Sequence, residues 1–242
     1  MKKLEFDIMM LIDEVGGYNE EYFSQLLYRK TTDIKCAYEN LLEKEFVFGN
    51  ELTEKAKKEI KLKKIDNAII LAAGMSSRFV PFNYELPKGL LEVKGEVLIE
   101  RQIRQLHEKG IHEIIIVVGY MKEKFEYLKE KYGVILVETD DYEKKNNHAS
   151  VYAARKYLKN TIITSSDLYF TKNIFQTYAY DAYYCTVFMP GKTAERGIET
   201  DLDDRILKTM YGDKCYDIWV TLGYAYFSKR FSDNFTKIME KE

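Results

Sequence analysis

The stretch Asn67-Ala-Ile-Ile-Leu-Ala-Ala-Gly-Met-Ser-Ser-Arg-Phe-Val-Pro81 constrains this chain more than any other. Ala68 to Leu71 form an unbroken apolar run, the pattern of a strand buried on both faces of a parallel sheet. Residues of little bulk follow at once, with Ala72, Ala73 and Gly74 leading through Met75 to Ser76 and Ser77. A strand that ends this way lets a ligand approach the backbone and lets N–H groups point at anionic oxygens. Arg78, and Lys88 within Pro87-Lys88-Gly89, add a planar fork and a point charge that suit a polyphosphate. Taken alone, the same residues also describe an ordinary strand-to-helix turn with two solvated cations.

Downstream, strand and helix patterns alternate. Residues 97–108 predict an amphipathic helix with Ile99, Ile103 and Leu106 inward, ended by Gly110. A strand over 113–118, a helix over 122–131 and a strand over 134–137 follow. This rhythm gives a doubly wound sheet whose crevice lies beyond the carboxyl ends of its strands. His107 and His112 read as surface residues.

Residues 149–158 predict a helix that Asn146 or Asn147 can cap, and a helix N-terminus facing the crevice is also a nucleotide-binding position. Residues 161–165 form another buried strand, with Ser166 and Asp167 at its carboxyl end. A carboxylate there is placed to hold Mg²⁺ against nucleotide phosphates, and a turn aspartate is the competing reading. The pattern then turns β-rich, with strands over 182–189, 197–201, 205–211 and 217–227. The acids of Asp201-Leu-Asp-Asp204 read as a hydrated hairpin turn rather than a metal site. Trp219, the single tryptophan, is expected in the core. A last helix spans 228–242, capped by Ser228 or Ser232.

The first sixty residues read separately. Leu4, Ile8, Leu11 and Ile12 mark a helix stopped by Gly16-Gly17. Asn19 caps a second helix carrying Tyr22, Phe23, Leu26 and Leu27. Thr31 or Thr32 caps a third, with Ile34, Ala37, Tyr38, Leu41 and Leu42 inside. Two short strands turn at Gly49-Asn50, and Thr53 caps a helix through Ile60. Three helices followed by a β-wing resemble the winged helix-turn-helix family, which implies DNA as a partner of residues 1–63. Acidic and basic residues are nearly balanced there, which argues against it.

A length of 242 residues accommodates a large domain and a small one. The near-neutral net charge of −2 argues against a general polyanion binder. No apolar run is long enough to span a bilayer, and the N-terminus lacks a secretory apolar core. Cys36, Cys185 and Cys215 are too few and too scattered for a disulfide framework or a zinc site, so a cytoplasmic setting is expected.

The signature string, with Leu98-Ile-Glu-Arg-Gln-Ile103, Ile114-Ile-Ile-Val-Val-Gly-Tyr120, Asn146-Asn147-x-x-Ser150 and Ser165-Ser166-Asp167, resembles the nucleotidyltransferases of the sugar-phosphate nucleotidyltransferase-like fold. Among these it is most similar to the bacterial phosphocholine cytidylyltransferases. The resemblance runs from Asp66 to the C-terminus, with Ser76 where a second glycine is usual. It implies an α/β fold with a doubly wound, mostly parallel sheet over 66–242, C-terminally short for the family, preceded by the small winged-helix domain of 1–63.

The implied activity is CTP-dependent transfer of CMP to a phosphorylated amino alcohol such as phosphocholine, releasing pyrophosphate. The acceptor phosphate is already ionised, so alignment and charge neutralisation suffice. By resemblance Arg78 and Lys88 are catalytic, and Leu71, Ala72, Ala73, Gly74, Met75, Ser76 and Ser77 bind nucleotide. Asn147 and Ser150 line base and ribose, Asp167 carries Mg²⁺, and Arg196 faces the acceptor. Arg196 stands after Thr193-Ala-Glu195 where the choline enzymes place a tryptophan, and a cation there opposes a quaternary ammonium. A sugar-phosphate nucleotidyltransferase, or a degenerate nucleotide-binding domain coupled to a DNA-binding regulator, are the alternatives. A homodimer is compatible with either.

Overall fold

A computed structural model of the chain describes residues 1–74, 85–139, 147–201, 204–211 and 215–241. The chain divides into two units, Met1–Lys64 with Tyr178–Tyr180, and Ile65–Thr177 with Asp181–Glu242. The short return of Tyr178–Tyr180 to the first unit has no counterpart in the sequence-based boundaries. Tyr178 bridges to Lys64, Ala179 N–H donates to the Lys63 carbonyl, and the Tyr180 hydroxyl donates to the Met1 carbonyl at 2.6 Å.

The first unit consists of α1 (Lys3–Val15), α2 (Glu20–Leu27), α3 (Thr31–Glu43), the hairpin β1 (Val47–Phe48) and β2 (Glu51–Leu52), and α4 (Glu54–Lys61). Asn19 and Thr53 cap their helices as expected, accepting from Tyr22 N–H at 3.0 Å and Ala56 N–H at 3.3 Å. Thr31 does not cap α3; it is the first helical residue and Lys30 precedes it. Ile8, Met9, Ile12, Phe23, Ile34 and Leu41 fill the core. Leu42, expected inside, is exposed, since α3 buries Ile34, Ala37 and Leu41; the short α2 buries only Phe23 and leaves Tyr22 and Leu26 exposed. Glu5 is buried on α1, with both oxygens on Lys44 Nζ at 2.7 and 2.8 Å.

In the second unit β3 (Asn67–Ala72) leads to a ribbon of β4 (Glu92–Val93) and β5 (Glu96–Val97), then α5 (Leu98–Glu108) and β6 (Ile114–Val118). After these come α6 (Tyr127–Tyr132), β7 (Ile135–Glu138), α7 (Asn147–Ala153) and β8 (Thr161–Ser165). The last elements are β9 (Tyr183–Lys192), β10 (Gly197–Thr200), β11 (Ile206–Met210), β12 (Tyr216–Phe227) and α8 (Lys229–Met239). Among the described residues these build an eight-stranded sheet in the order β11-β10-β12-β8-β3-β6-β7, with β9 also paired to β12.

From β8 to β7 the neighbours are parallel; beyond β8 they are antiparallel. The sheet is therefore mixed. Its centre is β3, with Ile69 opposite both Ile115 and Ile163. All five residues of β6 are buried, as a strand covered on both faces requires. Asn67, polar yet buried, is satisfied by the Thr161 hydroxyl at 2.7 Å and the Tyr157 carbonyl at 2.8 Å.

One face packs on α7 and α8 through Ile69, Val117, Val151, Ile163 and Phe227. Thr164, one residue on from Ile163, turns to α5, where its hydroxyl reaches Gln102. The final helix is capped by Ser228, whose oxygen accepts from Phe231 N–H. Two expectations need correction. Trp219 is 52% exposed, stacked edge-on against Phe188 in the antiparallel extension. That part of β12 pairs with β9 and β10 and lies beyond β8, so its ring does not enter the core. His107 is half-buried with Nε2 enclosed and unpartnered, and burial with neighbouring His112 pushes its pKa down.

Candidate active site

A cleft of about 370 Å³ opens where β3 and β8 end side by side. Leu71 to Gly74 form one wall, Lys88 and Gly89 a second, Asn147 and Ser150 of α7 a third, and Ser165 to Asp167 the fourth. The parallel register sets two of the walls, since Leu71 lies opposite Ser165 and the Ser166 N–H donates to the Leu71 carbonyl at 3.0 Å. The small side chains of 72–74 leave this end of the sheet open.

Lys88 begins a short 3₁₀ turn, Lys88–Leu90, that follows Pro87. Pro87 fixes its own φ and the Leu90 N–H closes the turn on its carbonyl at 2.9 Å. Gly89 then comes so near β8 that an added Cβ would lie 2.7 Å from Ser166 Cβ. Only glycine permits that approach without moving backbone. The consequence is that Lys88 Nζ stands 3.4 Å from Asp167 Oδ2.

The turn carrying Asp167 is held from beneath by α5. The buried Gln102 amide donates to the Ser165 and Leu168 carbonyls, both at 2.9 Å. Arg101 and Gln105 donate to the Phe170 carbonyl just beyond, at 2.9 and 3.1 Å. On the outer side Gly223 of β12 presses on Ser165, where an added Cβ would meet Oγ at 2.9 Å. Next to it the Tyr183 and Tyr224 hydroxyls are 2.9 Å apart, and burial pushes both pKa values up, so both stay neutral. Helix α5 is itself anchored through buried Glu100, which accepts from Tyr127, Lys131 and Tyr132 at 2.9, 2.7 and 2.8 Å.

Of the residues predicted from sequence, Leu71, Ala72, Ala73, Gly74, Lys88, Asn147, Ser150 and Asp167 come together in this cleft. Met75, Ser76, Ser77 and Arg78 lie outside the described residues, as does Asn146. Arg196 is not among the lining residues; its guanidinium stacks over the Tyr211 ring at 4.7 Å, after Glu195 and at the start of β10. Gly89, Ser165 and Ser166 line the cleft and were not singled out, although all three sit inside quoted motifs. Gln102, inside the quoted Leu98–Ile103 string, was likewise given no role. Its signal was a polar residue on the inward stripe of α5, between Ile99 and Ile103.

Mg²⁺ is usually held through one or two carboxylates together with substrate phosphates and water. Asp167 fits that pattern, because its side chain is 39% exposed in a cleft that Ser165 and Ser166 also line. Among the described residues no group of three or more His, Cys, Asp or Glu forms a self-contained metal cage. No helix among them is long and apolar enough to cross a membrane.

Residues 68–221 match the family described as the MobA-like NTP transferase domain. A choline-phosphate cytidylyltransferase of Streptococcus pneumoniae is 46% identical over 128 residues, which is 53% of this chain and 56% of that protein. A 2-aminoethylphosphonate cytidylyltransferase of Lancefieldella rimae is 37% identical over 166 residues, 67% of each chain. Among solved structures, the CTP:phosphocholine cytidylyltransferase of Streptococcus pneumoniae superposes with a TM-score of 0.69 at 35% identity, covering 72% of this chain and 76% of that one. This chain thus spans little more than half of the first of these relatives.

Proposed function

The chain belongs to the MobA-like NTP transferase domain family, and from that premise we propose that it transfers CMP from CTP to a small phosphorylated or phosphonylated acceptor, releasing pyrophosphate. The observation that carries this reading is the Lys88–Asp167 pair, 3.4 Å apart at the mouth of a cleft walled by small residues. Relatives that use CTP support the nucleotide, and their printed acceptors are phosphocholine and 2-aminoethylphosphonate.

In this reading the triphosphate lies across Ala72 to Gly74, whose own side chains are small enough to let a phosphate near the backbone. Lys88 leaves Asp167 to meet the α-phosphate or the acceptor oxyanion, neutralising charge as the in-line displacement proceeds. Asn147 and Ser150 at the start of α7 orient ribose and base. Arg78 acts on the departing pyrophosphate. A divalent cation held by Asp167 would supply neutralisation of the nucleotide phosphates. The acceptor is already an anion, so no side chain has to remove a proton. Arg196 is the acceptor-side candidate; its charge opposes the ammonium of phosphocholine and of 2-aminoethylphosphonate alike, and the lack of an aromatic wall there withholds the cation–π contact that a trimethylammonium uses.

A nucleic-acid role for the first unit is the less favoured reading, because the exposed acids Asp33, Glu39 and Glu43 of α3 offset Lys35 and the preceding Arg29 and Lys30, leaving no net positive face for a phosphate backbone. The test of the main proposal is pyrophosphate release with each of four NTPs against phosphocholine, 2-aminoethylphosphonate and sugar 1-phosphates. Turnover confined to CTP with an amino-alcohol phosphate or phosphonate is the expected result. Turnover with sugar phosphates instead, or with none of them, overturns it.

A further inference from the structure

The geometry points to Gln102 as the positioning residue of the cleft: we propose that its amide fixes the Ser165–Leu168 turn, and through it Asp167, in the arrangement that receives a metal-bound triphosphate. This rests on the function proposed above and extends it to a residue of α5 that touches neither substrate nor metal.

The turn is weakly closed by its own backbone, since the Leu168 N–H to Ser165 carbonyl distance is 3.4 Å. What braces it is the side chain beneath. Gln102 is fully buried, and its Nε2 donates to the carbonyls at both ends of the turn, Ser165 and Leu168, at 2.9 Å each. Its Oε1 accepts from the Thr164 hydroxyl at 3.1 Å. Two carbonyls on one side can be served only by the NH₂ group, so the amide has one workable orientation and Thr164 locks it. Three hydrogen bonds from one side chain therefore span residues 164–168, with Asp167 at the crest.

The same helix also bears on the other half of the charge pair. The Leu98 N–H, at the first turn of α5, donates to the Leu91 carbonyl at 3.1 Å, and Leu91 N–H closes on Lys88. Helix α5 thus braces both the Lys88 turn and the Asp167 turn, and Gln102 is its contact with the second. Groups that orient a metal-binding carboxylate without touching the metal typically change metal affinity or activity by about 10–100-fold when removed.

The experiment titrates Mg²⁺ into CTP binding by calorimetry for the wild type, Gln102→Met and Thr164→Val, with thermal melts and steady-state kinetics alongside. Gln102→Met keeps length and volume and removes every hydrogen bond. It should raise the half-saturating Mg²⁺ concentration about tenfold or more and lower kcat comparably, while Mg²⁺-free CTP affinity stays near wild type. Thr164→Val, which only unlocks the amide, should shift both in the same direction by less. A folded Gln102→Met whose melting temperature falls but whose Mg²⁺ titration matches wild type overturns the proposal, leaving Gln102 a packing residue. If Gln102→Met does not fold, an unshifted Thr164→Val titration overturns it instead. A wild type with no Mg²⁺-dependent CTP binding would remove the proposed function itself, and this inference with it.

Discussion

Lys88 and Asp167 are separated by 79 positions in the chain and by 3.4 Å in the cleft. Charge-assisted hydrogen bonds between such groups usually run to about 2.7–2.9 Å, so this pair is close without being clasped. A cation brought to Asp167 would weaken its attraction for Lys88.

Lys88→Met should weaken CTP binding by about 1.5–3 kcal/mol, the range for a hydrogen bond to a charged group, or about tenfold to a hundredfold. Asp167→Asn should leave metal-free binding intact and abolish its response to Mg²⁺. Calorimetry with and without Mg²⁺ at fixed ionic strength reads both effects. Equal CTP affinity in wild type and Lys88→Met would place the triphosphate elsewhere.

At Gly89 the expected defect is steric. A methyl group there would press on Ser166 Cβ, which cannot swing away as the end of a long side chain can. Gly89→Ala should therefore cost about 1–3 kcal/mol of stability, the usual range for overpacking, and should move the Asp167 turn away from Lys88. Denaturant unfolding and the CTP titration together check this, and normal values in both would contradict it.

A third expectation concerns pH. Burial opposes ionisation of Glu100, but hydrogen bonds from Lys131, Tyr132 and Tyr127 outweigh it and hold the carboxyl below its ordinary value of 4.5. A depressed value means that the stabilisation is fully present above the unfolded-state pKa and is lost as pH falls through the folded one. Glu100→Gln should be less stable than wild type by about 1–3 kcal/mol near neutrality. The gap should narrow as acid titrates the wild-type carboxylate. Urea unfolding across that range measures it, and a gap independent of pH would assign the effect to packing.

Acceptor choice gives the fourth. Arg196→Trp replaces a cation with an aromatic face, and cation–π attraction for a quaternary ammonium is worth about 0.5–2 kcal/mol. Phosphocholine use should improve relative to 2-aminoethylphosphonate by about twofold to thirtyfold in kcat/KM. An unchanged ratio would mean that Arg196, stacked on Tyr211, does not meet the acceptor.

The parts of this molecule that were legible in sequence are those with a strong local period or a dense motif. The all-apolar runs of β3 and β6 could scarcely be anything but buried parallel strands, and Asn19, Thr53 and Ser228 announced their helices by side-chain chemistry. The cleft was legible because several of its walls are contiguous strings of small or charged residues. Three things were hidden. Trp219 looked like core because local hydrophobicity does not reveal how far a strand overshoots its neighbour. Gly89 matters because of what lies across from it, a distance no spacing rule contains. Gln102 reads as an ordinary helix residue until the strand beneath it is known, and only then do its two carbonyl partners become visible.

Strand β12 has a consequence for biosynthesis. It supplies the antiparallel neighbour of β8, with Tyr224 opposite Thr164, yet it is translated some 60 residues after that strand. At about 5–20 residues per second, β8 waits roughly 3–12 s on the ribosome with one backbone edge unpaired. An open strand edge is a template for pairing with another chain. The nascent protein is thus most prone to aggregate after its cleft residues have emerged and before Phe227 has cleared the exit tunnel. Slow codons between those two points would lengthen the exposure, and a chaperone that covers β8 would shorten its effect.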